Sequence, residues 1–411
     1  MSSARAASVA ESRYAWTRLV AALALSTIGG VGMWSVVVVL PAIQAEFGVA
    51  RADASFPYTL TMVGFGLGGI FMGRLSDRFG IVVPVVVGTF ALGLGYTLAA
   101  SAGSLWQFAL VEGVLIGFLG SSATFGPLLA DTSLWFNRRR GIAVAIFASG
   151  NYLAGIVWPP IVQHFIETSG WRATHAGIGL FCLVTMLPLA LVLRRRPPAL
   201  ELGPGGGGRT AAWPERPLGL SPGALQALLV VAGLACCVAM SMPQVHIVAY
   251  CGDLGYGAAR GAEMLSLMLG FGIVSRLASG WVCDRIGGVR TLLLGSGLQG
   301  VALLLFLPFD GLVSLYVISA LFGLFQGGIV PSYAIIVREY FSPREAGVRV
   351  GTVIMATLFG MALGGWLSGV IFDLTGSYEA AFLHGTAWNL VNVAIAVFLL
   401  LRGRGRQMAP A

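Results

Sequence analysis

Gly73-Arg74-Leu75-Ser76-Asp77-Arg78-Phe79-Gly80 returns 207 residues later, counted from Gly73 to Gly280, as Gly280-Trp281-Val282-Cys283-Asp284-Arg285-Ile286-Gly287. The first glycine, the Asp-Arg pair and the last glycine stay in register, and each copy closes a long apolar run. A looser echo sets Trp135-Phe136-Asn137-Arg138-Arg139-Arg140-Gly141 beside Tyr340-Phe341-Ser342-Pro343-Arg344-Glu345-Ala346-Gly347, with one residue inserted. Both echoes fall at matching places of two half-chains. Such internal repeats within an apolar chain mark carriers built from two related bundles.

Composition places these halves in a membrane. Of 411 residues, 57% are hydrophobic and 10% charged, against about 25% charged in an ordinary soluble domain. The 58 glycines sit mostly inside the apolar runs, where small residues let membrane helices approach closely. A net charge of +8 could suggest nucleic acid, but the distribution of the basic residues argues for membrane topology.

Apolar stretches of about 20 residues predict twelve spans, near 17–42, 55–75, 81–100, 105–130, 141–165, 174–193, 223–250, 260–283, 289–309, 312–337, 347–371 and 379–401. All 25 basic residues are arginine, and 21 of them fall in the tails, the even-numbered loops or the span ends that adjoin them. Only Arg51, Arg172 and Arg260 fall in or beside the opposite loops, and Arg276 falls deep within a span. The positive-inside rule therefore makes both termini cytoplasmic, in a multi-pass protein of the cell (inner) membrane. The first apolar run has no small-residue cleavage site before it and is expected to remain as a span.

The expected fold is all-α: twelve transmembrane helices in two pseudo-symmetric six-helix bundles, at 1–193 and 223–411. The connection at 194–222, with Arg194-Arg195-Arg196 and Gly205 to Gly208, reads as a flexible cytoplasmic linker. The basic tail after the last span is short. Cys182, Cys236, Cys237, Cys251 and Cys283 lie within or at the ends of apolar runs without ligand spacing, so neither disulfides nor a metal is expected. No cofactor is expected either.

At these residues the chain resembles the major facilitator superfamily, whose halves each carry a Gly-x-x-x-Asp-Arg-x-Gly signature after their second span. Within it the chain resembles the monocarboxylate porter and oxalate/formate antiporter branch, through the run from Trp135 to Gly155, the Pro243-Gln244-Val245-His246 segment with Asp253-Leu254-Gly255, the run from Arg276 to Gly287, and Asp373-Leu374-Thr375-Gly376-Ser377-Tyr378. Two departures stand out. Lysine is absent from the sequence, and Gly272 stands four residues before Arg276, where animal monocarboxylate carriers have an acidic residue.

Arg276 is the sharpest candidate. A guanidinium near a helix centre costs about 2.5–3.5 kcal/mol on insertion scales, and eight residues separate it from Asp284, or roughly 12 Å of helix. That is mid-bilayer, where carriers hold cargo. It could grip a carboxylate by paired charge-assisted hydrogen bonds, or serve structurally against another carboxylate or helix carbonyls. His246, late in span 7, has an ordinary pKa of about 6.5, suited to proton exchange; the plainer alternative is an interfacial histidine bonded to a carbonyl. Glu112, roughly 10 Å into span 4, could carry a proton or partner Arg276, or could simply stay protonated in apolar surroundings.

Tyr333, Asn151 and Trp34 are further substrate-binding candidates, since the superfamily resemblance implies that their spans help line a central cavity; each is also a common packing or interface residue type. The resemblance implies gating roles for Gly73, Asp77, Arg78, Gly80, Gly280, Asp284, Arg285 and Gly287, whose carboxylates can bond loop arginines or cap helix ends. Plain topology also accounts for arginines there, including Arg138, Arg139 and Arg140. Gly64-x-Gly66-x-x-Gly69 lies inside an apolar span with no preceding strand and is not a nucleotide fingerprint. Gly69-x-x-x-Gly73, Gly113-x-x-x-Gly117 and Gly365-x-x-x-Gly369 read as close helix contacts or pivots.

The sequence thus predicts a monomeric, proton-coupled carrier of a small carboxylate, working by alternating access between its halves. Competing readings are efflux of amphipathic compounds, organic-anion exchange, and an intramembrane enzyme or sensor. Against the enzyme, the sequence holds no His-Glu-x-x-His motif and no Gly-x-Ser-x-Gly elbow.

Overall fold

The computed structural model describes residues 12–136, 139–195 and 217–407. Residues 196–216 of the expected linker at 194–222, the outermost tails, and Asn137 and Arg138 lie outside the described residues. Two compact units divide the chain, Met1–Gly206 and Gly207–Ala411, and each carries six of twelve helical stretches long and apolar enough to cross a membrane.

In the first unit the helices are α1 (Arg13–Gly29), α2 (Val31–Phe47), α3 (Arg51–Phe79), α4 (Val82–Ala100), α5 (Leu105–Val111), α6 (Gly126–Leu134), α7 (Arg140–Ala148), α8 (Gly150–Ser169) and α9 (Trp171–Val192). In the second they are α10 (Pro222–Asp253), α11 (Ala258–Ile286), α12 (Gly288–Leu305), α13 (Leu312–Gln326), α14 (Ile329–Tyr340), α15 (Pro343–Thr375) and α16 (Glu379–Gln407). Several overrun the apolar windows that announce them: the first span runs Arg13–Phe47, 35 residues, where hydropathy marks 17–42. Polar residues at the ends are adequate helix formers, so hydrogen bonding continues past the point where hydropathy falls.

The helices are apolar on both faces, as a membrane medium requires. Along α9, Ile178, Cys182, Met186 and Ala190 recur every fourth residue and are buried, while Leu180 and Val184 are exposed. Along α4, Leu92, Tyr96 and Ala99 face inward while Phe90, Leu94 and Leu98 face out. A soluble protein would place polar residues on the second face.

Four spans are interrupted, the fifth span only at Ser149, between α7 and α8. Gly30 joins α1 to α2, and a Cβ there would stand 2.6 Å from Ala154 of α8, so the break admits a neighbouring helix. The fourth span passes from α5 into a π-helical stretch at Glu112–Gly120 and a 3-10 turn at Ser121–Thr124 before α6. The tenth breaks at Gly327 and Gly328, between α13 and α14.

The expected glycine contacts divide. Gly113 and Gly117 do abut α3, where added Cβ atoms would stand 2.8 Å from Leu60 and 2.7 Å from the Thr61 carbonyl. Gly69 and Gly73 correct the expectation, since a Cβ on either would meet no described atom within 4 Å. The contact face of α3 carries Gly64 and Gly68 instead. Gly69 lies about 100° further round the helix. The last glycine of each signature has a backbone role: Gly80 (φ 85, ψ 164) and Gly287 (φ 83, ψ 164) turn α3 into α4 and α11 into α12 in a region essentially closed to other residues.

Candidate functional site

Arg276 lies on α11 where that helix crosses the break in the tenth span. The approach is close because the break is bare: a Cβ on Gly327 would run into the Gly272 carbonyl, and one on Gly328 into the Ser279 side chain. Gly272 is thus a packing position here. Half-buried, Arg276 points Nε at the Gly327 carbonyl, 3.5 Å away. The last carbonyls of α13 carry the negative end of its dipole, a favourable setting for a guanidinium in an apolar helix.

His246, on α10, is fully buried. Its Nε2 lies 2.8 Å from the Gly365 carbonyl of α15, and its Nδ1 lies 3.1 Å from the Tyr378 hydroxyl. A carbonyl only accepts, so Nε2 donates and Nδ1 accepts from the tyrosine. Tyr333, also fully buried, donates to Asn392 Oδ1 at 2.9 Å, and Asn392 in turn donates to Ser296 Oγ at 2.7 Å. The hydroxyl therefore ties α14 to α16 and α12.

In the first unit the structure brings two predicted residues together. The buried Trp34 indole of α2 donates to the Asn151 backbone carbonyl of α8 at 3.3 Å. Glu112 opens the π-helical stretch, fully buried, with Oε1 3.7 Å from Nε2 of an equally buried His175 on α9. The partner of Glu112 within its own unit is thus a histidine, where the sequence offered Arg276 as one reading beside a proton carrier and a lone protonated acid. A histidine four residues after Trp171, near the head of an apolar span, was the signal available.

The signature loops are more open. Asp77, Arg78, Asp284 and Arg285 are exposed, and among the described residues neither aspartate forms an ion pair. Arg285 instead stacks 3.6 Å over the Trp281 ring, and Arg78 lies 5.1 Å over Phe79.

Sequence reading also missed Arg18, counted among the tail charges. It is 2% exposed, forks onto both Asp131 oxygens at 2.8–3.0 Å, donates to the Leu193 carbonyl at 2.8 Å and lies over Trp135. One side chain thereby fastens α1, α6 and the end of α9. Asp131, just past the expected end of span 4, was the clue.

A model of the Major Facilitator Superfamily matches residues 22–315 and 264–410. Monocarboxylate transporter 13 of Bos taurus is 31% identical over 339 residues, covering 79% of this chain and 75% of that protein. Monocarboxylate transporter 11 of Mus musculus is 29% identical over 389 residues, covering 90% and 84%. A solved bacterial homolog of the human lysosomal transporter Spinster, inward-facing and occupied, has a TM-score of 0.69 at 16% identity over 95% of this chain and 97% of its own, a likeness of fold alone. With the repeated signature and the twelve spans, the family match makes this chain a transporter of the Major Facilitator Superfamily.

Proposed function

We propose that the chain is a secondary active carrier of small organic monocarboxylates, working by alternating access and driven by proton symport. The observation that carries this reading is Arg276, a fixed cation in an apolar helix beside the break of the tenth span. Broken helices are where carriers of other folds also bind charged cargo, and the 31% identity to a monocarboxylate transporter supports an acid as the cargo.

In this reading Arg276 holds the carboxylate, and the proton crosses with it so that the loaded carrier moves no net charge beyond that of the empty one. Trp34, Asn151, Tyr333 and His246 are proposed to contact or position the cargo. The proton is assigned to Glu112 or His246, both buried and both ionisable. The glycines and charged pairs of the two signature loops would gate the cytoplasmic side, with both termini and the connection at 194–222 in the cytoplasm, and a single copy sufficing in the cell membrane.

Arg276→Lys in proteoliposomes tests the clamp. A point charge cannot reproduce the guanidinium fork, so uptake of lactate-like acids should fall sharply with the folded fraction unchanged. Wild-type uptake by the lysine variant would sink the clamp, and dye efflux without acid uptake would point to the efflux reading.

A further inference from the structure

Glu112 and His175 are both fully buried, and neither carboxylate oxygen nor Nε2 of the histidine has a hydrogen-bond partner in this conformation. They face each other at 3.7 Å. The Trp171 carbonyl fixes the ring, lying 3.0 Å from Nδ1; since it only accepts, Nδ1 carries a hydrogen and the Nε2 lone pair is turned to Glu112. An unpaired carboxylate in such a place would be strongly penalised, whereas one proton bound by the pair, on Oε1 or on Nε2, leaves it neutral overall.

The surroundings supply no other strong charge. Tyr96 of α4, Phe108 and Trp171 ring the imidazole at 5.4–5.8 Å. The Tyr96 hydroxyl is engaged with Ser35 of α2 at 2.6 Å, and Cys182, two turns along α9, is buried. Thr61 of α3 bonds its own helix at Pro57. Arg172, nearly one turn before His175, is held by Glu46 and two carbonyls, and Arg51 lies ten residues before Thr61, roughly 15 Å along the helix.

A second observation concerns the backbone. The π-helical stretch begins at Glu112 itself and runs nine residues to Gly120. Such stretches are rare, usually a single turn, and frequent at functional sites. Rewinding one of its turns to α-helix shifts the register by one residue, which turns Glu112 by about 100° relative to the segment beyond it.

We propose that Glu112 and His175 form a single proton-binding site, in which the facing Oε1 and Nε2 hold one proton as a pair in this conformation and release it to water when the fourth span rewinds. On release the O–H bond breaks, the electron pair stays on the carboxylate, and the proton passes to a water molecule; loading reverses these steps. The inference deepens the proton-coupled reading above, but its test requires no cargo, so failure of carboxylate transport and failure of the pair are separate results.

The test is infrared difference spectroscopy on the purified full chain in lipid, without substrate, titrated from about pH 5 to pH 8, where a histidine-linked site exchanges protons. A protonated-carboxyl band that titrates in this range, vanishes in Glu112→Gln and shifts in midpoint in His175→Gln is the expected result. If His175→Gln fails to fold, Glu112→Asp, which withdraws the carboxyl from Nε2 by one methylene, should shift the midpoint instead. A band that persists in Glu112→Gln, a wild type with no titrating band, or midpoints unmoved by His175→Gln or Glu112→Asp would each overturn the proposal.

Discussion

Two fully buried histidines, one in each unit, make a controlled comparison. His246 and His175 each give one ring nitrogen to a backbone carbonyl, Gly365 and Trp171 respectively, which fixes the tautomer in both cases. They differ in what the second nitrogen meets. For His246 it is a phenol hydroxyl at 3.1 Å; for His175 it is a carboxylate oxygen at 3.7 Å. A neutral imidazole between a carbonyl and a hydroxyl is matched in donors and acceptors without any change of charge. An imidazole facing a buried carboxylate is matched in charge only when the pair carries a proton. Burial and residue type are therefore poor guides to a proton site, and the group opposite the second ring nitrogen decides.

The largest effect expected from this contrast is on Glu112→Gln, which should reduce acid accumulation driven by a pH gradient to the level seen without a gradient, measured in proteoliposomes. His246→Gln should leave whatever accumulation remains still dependent on the pH gradient, even where cargo affinity falls. The reverse pattern would break the comparison and move the proton to the second unit. Next in size is the stability cost of His246→Ala, which removes the bonds to the Gly365 carbonyl and the Tyr378 hydroxyl; each is worth about 1 kcal/mol, read as a lower midpoint of chemical unfolding in micelles. Smallest is Tyr378→Phe, which removes one neutral hydrogen bond worth about 1 kcal/mol. It should lower the same midpoint slightly and leave the pH dependence of transport in place; a changed pH dependence would give His246 a share in proton transfer.

Much of the architecture was legible beforehand because the membrane acts on each segment by its own composition. Twelve spans could be marked from apolar runs, and the repeated signature pointed to a two-half carrier. Individual side chains were harder to read. Arg18 looked like one more positive-inside charge until the helix was seen to start at Arg13 and its guanidinium to reach Asp131, 113 residues away. Glu112 stood out as a lone carboxylate, yet His175 lies on another helix 63 residues further on, and no spacing rule links residues across a bundle. Gly69 and Gly73 fit a packing motif as a string but stand on the open face of α3, since the motif carries no information about which side a neighbour occupies. The π-helical stretch after Glu112 left no sequence signal that was recognised.

By itself the sequence determined the medium, the number of spans, the duplicated plan and the presence of ionisable groups inside apolar helices, because transfer of a segment into lipid depends on that segment alone. Tertiary structure decided which of those groups are paired: Arg18 with Asp131, Glu112 with His175, His246 with Gly365 and Tyr378, and Arg276 beside the broken tenth span. The reason is geometric. Hydrogen bonds and charge pairs act over about 3–4 Å, and only the packing of distant helices brings two side chains within that range.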